Sequence, residues 1–174
     1  MTEALTRALA LIREVPDFPE PGVLFRDLTP MLADGPALRA VAEALGADLD
    51  PEVTTVVAVE ARGFLFGAAL AAVHGLGVVP VRKAGKLPLV ADRQTYELEY
   101  GTATLELPDG GLRLAEKVIV VDDVLATGGT LAAACDLVER AGARVAATRV
   151  VVEIAALAGR ERLTGRDTGA LLTV

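Results

Sequence analysis

Valine-rich runs alternate with alanine-rich ones along most of this chain, and that alternation limits its fold more than any other feature. TTVVAVE (54–60), GVVPVR (77–82), KVIVVDD (117–123) and RVAATRVVVEI (144–154) are short and β-branched, as strands are. Between them GFLFGAALAAVHG (63–75) and TLAAACDLVERAG (130–142) carry apolar residues at helical spacing, and TATLEL (102–107) reads as a further strand. Strands that are apolar on both faces need cover on both faces. The expectation is therefore an α/β fold, a mostly parallel twisted sheet flanked by helices. Its 174 residues suit one domain with a sizeable core, and 3% aromatic content suits small-residue packing between helices and sheet.

Outside the alternating region, MTEALTRALALIREV places Leu5, Ala8, Leu9 and Ile12 on one face of an amphipathic helix. It lacks the regions of a signal peptide, so a cytoplasmic protein is expected. PDFPEPGVLFRDLTPML follows, with prolines and Gly22 that forbid a regular helix and imply a structured loop. A second helix is predicted over 36–49. The run from Gly63 to Val81 is long enough for a membrane span, but its glycines, its proline and a change of period midway fit helix, turn and strand better. Cys135, the single cysteine, falls in an apolar-periodic run and reads as core, and the single histidine, His74, has no evident partner. A formal charge of −7 argues against a nucleic-acid surface, and the first fifty residues carry four basic side chains against nine acidic ones.

In parallel sheets ligands sit beyond the carboxyl ends of the strands. Three predicted strands end there in charge: Glu60 and Arg62 after the first, Arg82, Lys83 and Lys86 after the second, Asp122 and Asp123 at the end of the third. The segment Ala126, Thr127, Gly128, Gly129, Thr130 then joins strand to helix, where backbone N–H groups and the helix N-terminus can converge on an anion. It lacks the lysine of a P-loop. Taken alone it is equally a glycine turn with a threonine N-cap. Two adjacent carboxylates at a strand end either meet ligand hydroxyls or a cation, or divide into a turn cap and a solvated group. Carboxylates beside a phosphate cradle suit a ribose, and Arg62, Lys83 and Lys86 suit a second group as highly charged as pyrophosphate, with Mg²⁺. Lys86 also reads simply as a solvated edge residue.

VIVVDDVLATGGTL resembles the phosphoribosyl pyrophosphate signature of the type I phosphoribosyltransferases. FPEPGVLFRDLTPML, VEARGFLFGAALA, VRKAGKLP and YELEYGTATLEL, in that order and spacing, extend the resemblance to the adenine-using branch of that family along nearly the whole chain. The resemblance implies the type I phosphoribosyltransferase fold over 1–174, with a small N-terminal hood (about 1–35) and a flexible lid loop (about 84–100). It implies transfer of a 5-phosphoribosyl group from phosphoribosyl pyrophosphate to adenine in purine salvage, giving AMP and pyrophosphate, with Mg²⁺ held mainly by substrate and water rather than by protein ligands. By the match, Asp122 and Asp123 bind the ribose hydroxyls, and Ala126, Thr127, Gly128, Gly129 and Thr130 hold the 5-phosphate. Arg62, Lys83 and the Glu60–Ala61 peptide, commonly cis in the family, face pyrophosphate. Leu24, Phe25 and Arg26 fall at the adenine pocket. Glu99 and Tyr100 of LEYG are the lid's working positions, and Glu99 is the candidate for accepting adenine's proton; Glu99 also reads as an ordinary exposed carboxylate beside a strand, and Tyr100 equally as a packing residue. A homodimer is implied by the family alone.

Two other readings are compatible with the residues: a phosphoribosyltransferase for another purine base, and a non-catalytic sensor of phosphoribosyl pyrophosphate. GVLFRD and LEYG speak against the first. The missing basic head speaks against a DNA-binding sensor. The C-terminal TGRDTGALLTV matches the family least.

Overall fold

The computed structural model describes residues 1–97 and 101–174. Helix α1 (Glu3–Leu9) opens on Thr2, whose hydroxyl accepts from Leu5 N. Strands β1 (Arg13–Pro16), at the end of the run read as helix, and β2 (Leu24–Asp27), in the expected loop, form a two-stranded antiparallel ribbon. Prolines exclude a helix there but tolerate an edge ribbon, and two cross-strand ion pairs, Arg13 with Asp27 and Arg26 with Glu14, hold it. Helices α2 (Thr29–Ala33) and α3 (Gly35–Leu45) follow, the second capped by Asp34, whose carboxylate accepts from Ala37 N at 2.8 Å.

The main sheet is built from β3 (Val53–Val59), β4 (Gly77–Lys83), β5 (Val90–Glu97), β6 (Thr102–Pro108), β7 (Lys117–Leu125), β8 (Arg144–Glu153) and β9 (Thr168–Thr173), with helices α4 (Gly63–His74) and α5 (Gly129–Arg140) in the crossovers. Its spatial order is β5-β6-β4-β3-β7-β8-β9. The five strands from β4 to β9 run parallel; β6 and β5 add an antiparallel hairpin at one edge. Period-two alternation sorts the valines: Val56, Ile119 and Val151 face α1, α3 and α4, whereas Val57, Val120 and Val150 face α5. Gly67 of α4 lies so near β3 that a Cβ would meet Ala58 Cβ at 2.6 Å, so the missing side chain sets the helix-to-sheet distance.

Three further elements depart from the sequence expectations. The segment 84–100, expected as a lid loop, contains β5, whose alternation of half-buried and exposed positions is carried by polar residues that give little hydrophobic signal. The C-terminal stretch supplies β9, an edge strand where no element was expected. The third valine run continues to Leu125, so Asp122 and Asp123 lie within β7 rather than at its very end. Cys135 is fully buried, and burial pushes its thiol up to about 12. His74 is exposed in the last turn of α4, against Gly46. No helix among the described residues is long and apolar enough to cross a membrane.

Candidate active site

Parallel β3, β4 and β7 bring their carboxyl ends together, as the strand order requires. A cavity of about 350 Å³ opens there, lined by Glu60, Ala61, Arg62, Lys83, Asp122, Asp123 and Thr130 from the expected set, and by Tyr96 and Ala103 in addition. The Glu60–Ala61 peptide is cis. The Glu60 carboxylate turns away from anion chemistry: it accepts from Arg82 Nε at 3.2 Å and Lys83 N at 3.0 Å, and it pairs with Lys86. Burial would raise its pKa, but these partners, Lys86 foremost, hold it below the ordinary carboxylate value. Lys86 is thus engaged with Glu60 and is not among the cavity's lining residues, whereas Lys83 Nζ has no ion-pair partner among the described residues.

Asp122 and Asp123 are both buried. Asp122 Oδ1 accepts from Asp123 N at 2.8 Å and is approached by Gly63, where a Cβ would stand 2.9 Å away. Burial, with the Asp123 charge second, raises the Asp122 pKa well above the ordinary carboxylate range. Asp123 Oδ2 is 2.7 Å from Arg62 Nε yet accepts no hydrogen bond, because the guanidinium N–H is not aimed at it. A buried carboxylate oxygen with a nearby charge and an unused lone pair is costly in a finished structure. It fits a ligand hydroxyl or a hydrated cation that completes the shell.

The loop from Ala126 to Thr130 curls round a hollow of about 50 Å³ at the N-terminus of α5. Gly128, not Thr127, is the N-cap, at φ +80°, and no side chain caps the helix. The first N–H groups of α5 therefore remain available to an anion. The second glycine role is steric: a Cβ on Gly128 would fall 2.2 Å from Gly159 O, and one on Gly159 would fall 2.0 Å from Ala126 O. The turn at 159–163 backs the loop only because both positions lack side chains. Gly159 was not singled out from the sequence, since a lone glycine in a C-terminal segment has no local signature.

On the hood side, a cavity of about 450 Å³ is lined by Val15, Phe18, Phe25, Asp27, Thr29 and Arg62. Phe18 and Phe25 meet edge to face at 5.1 Å, and the Arg62 guanidinium lies 5.6 Å from the Phe25 ring centre. Arg62 therefore joins the two cavities, with Phe25 on one side and Asp123 on the other. Leu24 and Arg26 share the opposite face of β2; neither lines the cavity, and Arg26 pairs with Glu14. Glu99 and Tyr100 lie outside the described residues. Tyr96, three residues before Glu99, was missed; its phenol oxygen accepts from Thr130 Oγ1 at 3.1 Å. The half-buried alternation of VADRQTYE is the signal that would have placed it.

A parallel sheet edge with a glycine-walled helix N-terminus, a buried carboxylate pair and facing cations defines a protein that handles a phosphorylated sugar. The chain belongs to the phosphoribosyl transferase domain family, whose sequence profile matches residues 30–169. It is 63% identical to the adenine phosphoribosyltransferase of Saccharopolyspora erythraea, over 97% of this chain and 92% of that one. Its fold is similar to that of the adenine phosphoribosyltransferase from Thermoanaerobacter pseudethanolicus, with a TM-score of 0.92 at 44% identity, covering 98% of this chain and 99% of the other. The Saccharomyces cerevisiae adenine phosphoribosyltransferase, solved with an imino-altritol bisphosphate and adenine, gives a TM-score of 0.90 at 34% identity over 99% and 100%.

Proposed function

We propose that this chain transfers the 5-phosphoribosyl group of phosphoribosyl pyrophosphate to adenine, forming AMP and pyrophosphate in purine salvage. The observation that carries the reading is the unsatisfied Asp123 Oδ2 beside an uncapped, glycine-walled helix N-terminus, with Arg62 and Lys83 in the same cavity. The relatives' names supply the base.

In the reaction the bond from ribose C1 to the pyrophosphate oxygen breaks, a bond from C1 to an adenine nitrogen forms, and adenine loses one proton. The Ala126–Thr130 loop holds the 5-phosphate through α5 N–H groups and the Thr127 and Thr130 hydroxyls. Asp122 and Asp123 accept from the two ribose hydroxyls and fix the sugar. Arg62 and Lys83, with the peptide at Glu60 and Ala61, stabilise charge that gathers on the departing pyrophosphate. Phe25 offers a face to the base, and the backbone of Leu24 and Arg26 borders it. Glu99 is assigned the proton from adenine and Tyr100 a place beside it. Mg²⁺ suits the oxygen-rich donors here and, when bound through substrate and water, neutralises pyrophosphate charge. Closure of a lid over 84–100 under a hood of about 1–35 excludes water from the reacting carbon, within a single domain. A cytoplasmic homodimer is the form expected from the family.

The test is AMP formation from phosphoribosyl pyrophosphate and Mg²⁺ with adenine, hypoxanthine or guanine supplied separately, using wild type and Glu99→Ala. Turnover with adenine alone, lost in the variant while substrate binding persists, is the expected result. Turnover with another base moves the assignment within the family. Tight binding without turnover on any base makes the protein a sensor.

A further inference from the structure

The hollow inside the Ala126–Thr130 loop is lined by residues of which only Thr127 and Thr130 carry a polar side chain. A phosphate dianion there is held by neutral donors, so every further O–H that reaches it counts. The described residues supply such a donor from outside the loop. Tyr96, near the end of β5, places its phenol oxygen 3.1 Å from Thr130 Oγ1, and it lines the neighbouring cavity together with Thr130, Lys83, Asp122 and Asp123. The phenol is the acceptor in that contact, and among the described residues nothing takes its own proton. Asp123 Oδ2, in the same cavity, accepts no hydrogen bond.

The ring is held on several sides. It packs against the core cluster that contains Leu105, Leu131 and Leu137. Gly129 lets it come close to α5, since a Cβ there would meet the Tyr96 ring at 3.2 Å and Glu97 O at 3.1 Å. Upstream, side-chain bonds tie β5 to the far end of α5: Arg140 Nε donates to Asp92 Oδ2 at 2.7 Å and Nη1 to Gln94 Oε1 at 2.6 Å. Packing and these bonds fix the phenol relative to the α5 N-terminus before any ligand arrives, so little ordering entropy is lost when it binds one.

The geometry points to Tyr96 as a further binding residue, which donates its phenol proton to a 5-phosphate oxygen of the sugar substrate. This rests on the reading of the Ala126–Thr130 loop as the 5-phosphate site. Two donor oxygens 3.1 Å apart can both lie within about 2.5–3.0 Å of one acceptor oxygen, the ordinary O–H···O range. Both O–H bonds rotate. Thr130 therefore turns from the phenol to the phosphate, and the phenol meets the same phosphate from the β5 side. The cradle spans two elements, the glycine loop and the edge strand across from it.

The experiment has one arm without turnover and one with it. Tyr96→Phe keeps the ring and its packing and removes only the hydroxyl. In calorimetric titrations its affinity for ribose 5-phosphate is expected to fall about tenfold, the effect of one hydrogen bond to a charged group, while its affinity for pyrophosphate and its thermal midpoint stay at the wild-type values. In the second arm KM for phosphoribosyl pyrophosphate should rise by a similar factor with kcat nearly unchanged, because the contact is made in ground state and transition state alike. Equal affinity of both proteins for ribose 5-phosphate, a loss seen only with pyrophosphate, a loss confined to kcat, or a matching fall in thermal midpoint overturns the inference. A wild type that does not bind ribose 5-phosphate overturns it together with the reading of the loop. If wild type makes no AMP with any base yet the difference in ribose 5-phosphate affinity is present, Tyr96 keeps its role and the reading of the reaction fails.

Discussion

The two ends of the sheet both bury carboxylates, and they treat them in opposite ways. At the amino end of the parallel strands, Glu116 accepts from Thr55 Oγ1 at 2.6 Å, Thr54 Oγ1 at 2.8 Å and Arg113 N at 2.9 Å, while nearby Lys117 pairs with Asp50 and Glu52. Burial works to raise the Glu116 pKa, but those hydrogen bonds win and hold it down at about 2. At the carboxyl end Asp123 Oδ2 accepts no hydrogen bond, and Asp122 is pushed up by burial and by its neighbour. A larger cavity at the amino end, about 440 Å³, is lined by Glu116, Lys117, Arg113 and Glu52, which already have partners, and by Arg144. Space therefore does not distinguish the ends. A buried carboxylate oxygen left without a hydrogen bond does, because a ligand hydroxyl can complete its shell.

The largest effect that would sharpen this contrast is that of Asp123→Asn. We expect kcat/KM for phosphoribosyl pyrophosphate to fall by about 10²–10³, in the range of a lost transition-state contact, with little change in thermal midpoint. Equal losses of activity and stability would break the contrast by making Asp123 structural. Next comes Gly128→Ala, which needs a side chain at φ +80° and 2.2 Å from Gly159 O. It should destabilise by about 2–3 kcal/mol in denaturant titrations and weaken ribose 5-phosphate binding as well. Glu116→Ala should cost about 1–3 kcal/mol through the threonine hydroxyls it leaves unpaired, with kcat of the folded fraction unchanged.

The smallest effect is a difference of sign with pH. The folded pKa of Glu116, about 2, lies below its ordinary 4.5, so its stabilisation is complete above 4.5 and is lost as pH falls toward 2. The folded pKa of Asp122 lies above its ordinary 3.8, so its ionisation opposes folding increasingly as pH rises past 3.8. Asp122→Asn should accordingly raise the thermal midpoint at pH 7 while lowering activity, and Glu116→Gln should flatten the acid limb of the stability curve. A lower midpoint for Asp122→Asn at pH 7 would show that the carboxylate is satisfied after all.

Much of this was legible in the linear chain wherever hydrophobic pattern carried the information. β3 and β7 follow the expected runs because residues buried on both faces of a sheet must be continuously apolar, and β4, α4 and α5 also fall on the runs expected for them. β5 was not legible, since an edge strand of polar residues is stabilised by Arg140, Arg93 and Glu106 rather than by apolar burial. The β1–β2 ribbon was hidden by its prolines. In the candidate site the acid pair, the glycine loop, Arg62 and Lys83 were each named from strand-end position. Lys86 was grouped with them by proximity in sequence, and the fold engages it with Glu60 instead.

By itself the sequence determined the layered α/β plan and the chemistry available at the strand ends, because both follow from residue type and spacing along one chain. Tertiary structure alone decided which of those groups remain unsatisfied. Whether Asp123 lacks a donor while Glu116 has several, and whether Gly159 lies against Gly128 or Tyr96 against Thr130, depends on segments distant in sequence. Hydrogen bonding and steric contact act over about 3 Å, so only the folded chain determines them.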